Sequence, residues 1–202
     1  MQNIPSVDLR DFLSGEPERK QKFVNEIGKA FEEIGFVALK GHFLDDQLVD
    51  ELYGEIRNFF ALPLETKYSY EIPGIGGQRG YVSFGKEHAK GRKEGDLKEF
   101  WHFGQYVKNE PELENKYPKN VMVDELEEFN SVGQKTYELL EETGRHVLGA
   151  IACYLNLDET YFDKHIFNGN SILRAIHYPP ITQEPDKAER AAAHGDINLI
   201  TL

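Results

Sequence analysis

The stretch Ala191-Ala192-Ala193-His194-Gly195-Asp196-Ile197-Asn198-Leu199-Ile200-Thr201-Leu202 decides the fold. It reads as a lead-in of small residues followed by a strand. Side chains two apart on a strand project to the same face. His194 and Asp196 would then aim an imidazole and a carboxylate at one point, with Gly195 between them on the opposite face. That is two-thirds of a facial triad, the two histidines and one carboxylate that hold non-haem Fe(II) and leave positions open for ligands. A lone His-x-Asp is also what a polar pair near a strand end looks like.

Upstream lies Ser171-Ile172-Leu173-Arg174-Ala175-Ile176-His177-Tyr178-Pro179-Pro180, a β-rich run stopped by two prolines, and then a charged, Pro-containing loop from Ile181 to Arg190. The order L-R-x-x-x-Y-P-P, loop, H-x-D-x-x-L-I-T-L resembles the core of the 2-oxoglutarate- and Fe(II)-dependent dioxygenases, in the branch that includes isopenicillin N synthase. The order is more specific than any one piece. The opening of the chain is similar to the same family in Ile4-Pro5 with Asp8-Leu9, in Gly35-Phe36, and in Phe59-Phe60-Ala61-Leu62-Pro63 with Glu65 and Lys67. Gly80-Tyr81 followed by Lys98-Glu99 is a further match. The resemblance covers nearly the whole chain, and its two ends agree independently.

The resemblance implies an α+β fold, a double-stranded β-helix (jelly roll) with flanking helices, incomplete at the C-terminus. It divides the chain into residues 1–115, an N-terminal α/β region, and 116–202, a long helix with the first jelly-roll strands. His194 and Asp196 would ligate Fe(II), and 2-oxoglutarate would chelate the metal so that its decarboxylation with O2 drives attack on a C–H bond of a small-molecule substrate. Tyr178 matches the family tyrosine that helps bind 2-oxoglutarate. Many plant members carry asparagine at the position of Ile176, so one polar contact to the cosubstrate is lost here. An oxidase like isopenicillin N synthase, which does without 2-oxoglutarate, stays open for that reason. Arg174 could serve the cosubstrate or pair with surface acids, and His177 falls on the opposite strand face from Tyr178.

The family's second histidine and its Arg-x-Ser lie downstream of H-x-D, beyond Leu202. Ile197 to Leu202 would also end as an apolar strand with an unpaired edge. The chain is therefore expected to be the N-terminal part of a longer enzyme, inactive alone. If the chain is complete, the reading becomes an interaction module that pairs a partner strand along its open edge.

The length of 202 residues suits one domain or slightly more, and 40% apolar with 12% aromatic residues is enough to fill a core. A formal charge of -12 argues against nonspecific binding to nucleic acid or anionic membranes, because phosphates would be repelled. Cys153 is alone, which excludes an internal disulfide and fits a cytoplasmic setting. It lies in an apolar run, where an inert thiol is expected. No signal peptide or bilayer-length apolar run is present.

Spacing predicts helices from about Pro17 to Ile34 and from Asp45 to Phe60, with a buried strand from Gly35 to His42 between them. One long helix is expected from Met122 to Leu155, roughly 50 Å at 1.5 Å per residue, with His146 treated as structural or exposed. Gly74 to Gly95 is rich in Gly and Lys. It lacks the Gly-Lys-Ser/Thr of a phosphate loop and reads as a surface loop. The resemblance makes Arg79, Tyr81 and His102 candidate substrate contacts, each set against a surface or packing role. Phe100 to Phe103 reads as a strand whose inward-facing residues the sequence alone does not choose.

Overall fold

The computed structural model describes residues 3–88, 93–182, 184, 187–196 and 198–202. In chain order the elements are β1 (Ser6–Asp8), α1 (Leu9–Phe12), α2 (Pro17–Glu33), β2 (Ala38–Lys40), α3 (Asp46–Phe60) and α4 (Leu64–Ser69). There follow β3 (Gly80–Val82), β4 (Glu99–Gly104), α5 (Pro111–Glu114), α6 (Glu127–Tyr154), α7 (Asp163–Ile166) and β5 (Ile172–His177). They pack as two compact units, one of Met1–Asp46, Glu138–Gly169 and Leu202, the other of Gln47–Tyr137 and Asn170–Thr201.

In the first unit Pro17 opens α2, where its missing N–H costs nothing. Phe23, Val24, Ile27 and Ala30 are its buried side, and Phe31 and Ile34 are half-buried. Gly35, at φ +80°, ends the helix, and its N–H joins that of Ile34 on the Ala30 carbonyl. The Asp8 carboxylate caps α1 by accepting from the Arg10 amide at 3.0 Å. β1 and β2 run parallel, Val7 opposite Leu39. The expectation of a buried strand here is corrected: Ala38 and Lys40 are exposed, because a two-stranded sheet leaves most of β2 uncovered. His146 packs between the rings of Phe12 and Phe43 and bonds to Glu142, a structural role. Cys153 is half-buried, and burial pushes its thiol up, away from nucleophilic character.

The second unit holds a three-stranded antiparallel sheet, β3-β4-β5, in the register Tyr81 opposite Trp101 opposite Ala175. Tyr81, Trp101, Phe103 and Ala175 pack with Phe59 and Phe60 of α3 and with Tyr70, Val123 and Phe129. Phe59 is the hub of this core. It stacks on Phe129 at 4.9 Å and meets Trp101 edge-on at 4.8 Å. α6 begins at Glu127 rather than Met122. The Asn130 side-chain amide donates to the Val123 carbonyl and accepts from its N–H, holding that peptide out of the helix. The helix has 28 residues and so spans about 42 Å.

Among the described residues the strands form these two sheets and no closed barrel. The strand expected after Asp196 is also absent among them, with Ile197 lying outside the described residues. A ladder needs a neighbour, and no described segment supplies one. Local bonds take its place: the Asn198 side-chain amide donates to the Ile200 carbonyl and the Thr201 hydroxyl, each at 2.6 Å. Residues 89–92 of the Gly- and Lys-rich segment likewise lie outside the described residues, and no described helix is long and apolar enough to cross a membrane.

Candidate functional site

Alternation along β4 and β5 sorts their side chains. Trp101, Phe103, Leu173 and Ala175 face the core, so Phe100, His102, Arg174 and Ile176 share the other face. The Arg174 guanidinium lies 4.4 Å over the Phe100 ring and forms an ion pair with Glu87 at 3.2 Å. Its Nε–H donates to Nε2 of His102 at 2.7 Å, while Nδ1 of His102 meets the Gly77 carbonyl at 2.6 Å. A carbonyl only accepts, so His102 is neutral with its proton on Nδ1.

Burial first, and the Arg174 charge second, lower the His102 pKa to about 4 from an ordinary 6.5. The unfolded chain therefore binds more protons between these values. The stability that the neutral ring contributes is complete above pH 6.5 and is lost as pH falls toward 4. Between pH 7 and pH 5 this contribution should drop by about 2 kcal/mol. Urea unfolding of wild type and His102→Gln at both pH values checks it. Equal pH dependence in the two proteins would show that His102 does not titrate this way.

From this face a polar chain continues toward the end of the sequence. Glu87 also accepts from Lys98 Nζ at 2.6 Å, and Lys98 pairs with Asp96 at 2.9 Å. Lys98 and Asp96 are 4% and 3% exposed. Asp96 Oδ1 accepts from the backbone N–H of Ala192 at 3.3 Å, and the Leu97 N–H donates to the Glu189 carbonyl at 2.7 Å. Two residues on, Nδ1 of His194 lies 2.6 Å from the Ala192 carbonyl. That bond requires a proton on Nδ1, so the neutral ring carries its lone pair on Nε2.

Nε2 of His194 is 3.8 Å from Oδ1 of Asp196, and both side chains are exposed. With metal bonds of about 2.0–2.2 Å to imidazole and carboxylate, both atoms reach one divalent ion. The donor set is of the right chemistry for Fe(II), a neutral imidazole and a carboxylate, and the Nδ1–H bond to a carbonyl is the usual outer support of a ligating histidine. Among the described residues no third His, Cys, Asp or Glu completes a group of three.

Tyr178 stands one residue past β5, partly exposed, with the Arg190 guanidinium 6.0 Å from its ring and Arg190 Nη1 donating to its carbonyl. His177, on the core-facing side, stacks on Phe60 and bonds through Nδ1 to Glu99 at 2.8 Å. Glu99 also accepts from Lys67 at 2.8 Å and from the Tyr81 hydroxyl. Burial pushes the Glu99 carboxyl up, but these three donors outweigh it and hold its pKa below the usual range.

The structure thus brings His194 and Asp196 together, although not on a strand. Arg79, Tyr81 and His102 are fully or nearly buried, which is the packing role. Arg79 donates to the Gln78 carbonyl and to Asn170. Sequence reasoning missed Asp96 and Lys98. The available signal was their alternation with Leu97 directly before the apolar run of β4.

A family model described as the N-terminal region of the non-haem dioxygenases of morphine synthesis matches residues 4–125. A 2-oxoglutarate-dependent dioxygenase of Dothideomycetidae sp. is 30% identical over 99% of this chain and 62% of its own length. A proline hydroxylase of Petromyces alliaceus is 29% identical over 98% of this chain and 63% of its own. Among solved structures, a Caulobacter crescentus protein assigned to the 2OG-Fe(II) oxygenase family superposes with a TM-score of 0.82 at 39% identity, covering 98% of this chain and 62% of that one. A full-length Neurospora crassa protein solved in complex with α-KG gives 0.70 at 28%, over 87% and 51%. The chain therefore spans less than two thirds of each of these relatives.

Proposed function

We propose that this chain, which belongs to the 2-oxoglutarate- and Fe(II)-dependent dioxygenases of the isopenicillin N synthase-like superfamily, oxidises a small-molecule substrate with O2 at a metal held by His194 and Asp196. The observation that carries this is the pair itself. The imidazole is held through Nδ1 on the Ala192 carbonyl, which places its Nε2 3.8 Å from a carboxylate oxygen. Asp196 offsets part of the ion's charge and His194 supplies an uncharged donor, so open positions remain for ligands. When bound, Fe(II) would activate O2, the oxidant, and the oxidative decarboxylation of 2-oxoglutarate would supply the two electrons that the substrate does not. The residues of this chain orient and hold. Tyr178 would donate its hydroxyl to 2-oxoglutarate, the compound bound as α-KG in the Neurospora crassa complex.

The sheet β3-β4-β5 would form part of a double-stranded β-helix, with residues 116–202 as the start of the oxygenase region and 1–115 before it. The lone Cys153 supports a cytoplasmic setting. The same Neurospora crassa protein also crystallises with thymine, which supports a small molecule as substrate here.

The deciding experiment is O2 consumption by the full-length protein with Fe(II), with and without 2-oxoglutarate. Consumption that depends on 2-oxoglutarate supports the proposal. Substrate-dependent consumption without it supports the oxidase reading, which the apolar Ile176 on the Arg174 face favours. Tyr178→Phe should raise the 2-oxoglutarate requirement by a hydrogen bond's worth, about 0.5–1.5 kcal/mol, or more against a carboxylate. An unaltered requirement would move that contact elsewhere.

A further inference from the structure

We infer that Asp96, neutralised by Lys98, is a positioning residue that fixes the metal-binding form of His194 through the backbone of Ala192. The inference rests on the assignment of His194 as a ligand. Both backbone groups of Ala192 are held, one on each side of its Cα: the N–H of the Ala191–Ala192 peptide donates to Asp96 Oδ1 at 3.3 Å, and the C=O of the Ala192–Ala193 peptide accepts from His194 Nδ1 at 2.6 Å. The three groups act in series. Asp96 holds the Ala192 N–H, the buried Ala192 carries that placement across its Cα to its own carbonyl, the carbonyl selects the Nδ1–H tautomer, and that tautomer presents the Nε2 lone pair.

The grip is built from buried parts. Ala192 is 1% exposed, between the exposed Ala191 and Ala193. Lys98 bridges Asp96 to Glu87, and Glu87 is tied to Arg174 on β5. The Leu97 amide holds the Glu189 carbonyl, which anchors the same segment three residues earlier. A buried ion pair such as Asp96–Lys98 contributes little net stability over apolar residues of the same shape. What it supplies here is a fixed acceptor three residues before β4, aimed at the N–H of the residue whose carbonyl orients the imidazole. His194 is itself half exposed, so its orientation depends on its bond to the Ala192 carbonyl.

The test uses Asp96→Ala, in which Lys98 keeps Glu87 as its partner. Co(II) is the probe, titrated by its visible absorption, and long-range proton–nitrogen NMR reads the His194 tautomer in the metal-free protein. Asp96→Ala should weaken Co(II) binding about 10–100-fold, the range for outer-shell partners of metal ligands. It should also turn a single Nδ1–H tautomer into a mixture. Val24→Ala, a core change far along the sequence, should lower stability and leave both readouts where they were. Wild-type affinity and tautomer in Asp96→Ala, beside loss of Co(II) in His194→Ala, would overturn the positioning role alone. Unchanged affinity in His194→Ala would overturn the ligand assignment and this inference with it. Should Asp96→Ala fail to fold, amide exchange in the wild-type protein decides. The Ala192 amide should exchange more slowly than those of Ala191 and Ala193, and equal rates would overturn the inference.

Discussion

Glu99→Ala should destabilise the second unit by about 3–5 kcal/mol, the cost of removing one partner from a buried ion pair. Glu99 and Lys67 side chains are 7% and 8% exposed, so water cannot replace what is lost. Without the carboxylate, the Lys67 ammonium keeps the Phe60 carbonyl at 3.3 Å and the faces of the Phe60 and Tyr81 rings, and the hydroxyl of Tyr81 and the imidazole of His177 lose their acceptor. Glu99→Gln should recover little, since its amide donor would face groups that are themselves donors. The double variant Lys67→Met, Glu99→Leu should restore much of the loss, because replacing both charges by apolar groups removes the desolvation cost as well. Urea unfolding at pH 7 measures all three. A Glu99→Ala protein within about 1 kcal/mol of wild type would show that the cluster is not held as described.

The second large effect is opposite in kind. His194→Ala and Asp196→Ala should leave stability within about 0.5 kcal/mol, as surface substitutions do. Both side chains are more than half exposed, and Asp196 accepts a long bond, 3.4 Å, from the Thr201 hydroxyl. In the full-length protein each variant should nevertheless lose Fe(II) affinity by more than the roughly 10–100-fold of outer-shell changes, and with it 2-oxoglutarate-dependent O2 consumption. Anaerobic Fe(II) titration alongside thermal unfolding gives both numbers. Iron affinity unchanged in both variants would place the metal elsewhere. Glu99 is thus a residue of the fold beside the site, whereas His194 and Asp196 serve the site and contribute little to the fold.

Hydrophobic spacing made α2 and α3 legible almost to the residue, because their apolar stripes are their buried faces. It placed the start of α6 five residues early, since Met122 and Val123 continue the stripe while the Asn130 amide interrupts the backbone. β4 was recognisable as a strand, but all six of its residues are buried, and only the partner strands show which face meets the core. The pairing of His194 with Asp196 was legible from spacing, while the strand invoked to explain it is absent among the described residues. The grip on Ala192 was not legible. Asp96 and Lys98 look like solvated charges in a loop, and paired burial of opposite charges leaves no trace in hydropathy.

The exchange of bonds between Asn130 and the Val123 peptide gives the protein one point at which chemical ageing would alter its shape. Hydrolysis of an asparagine amide to a carboxylate at an exposed position, such as Asn25 or Asn58, adds a charge to the surface and little else. At Asn130, only 9% exposed, it would remove the donor that serves the Val123 and Leu126 carbonyls and set an anion against both. Val123 belongs to the aromatic core around Phe59, so a preparation that loses this one amide with storage would loosen at the start of α6 first.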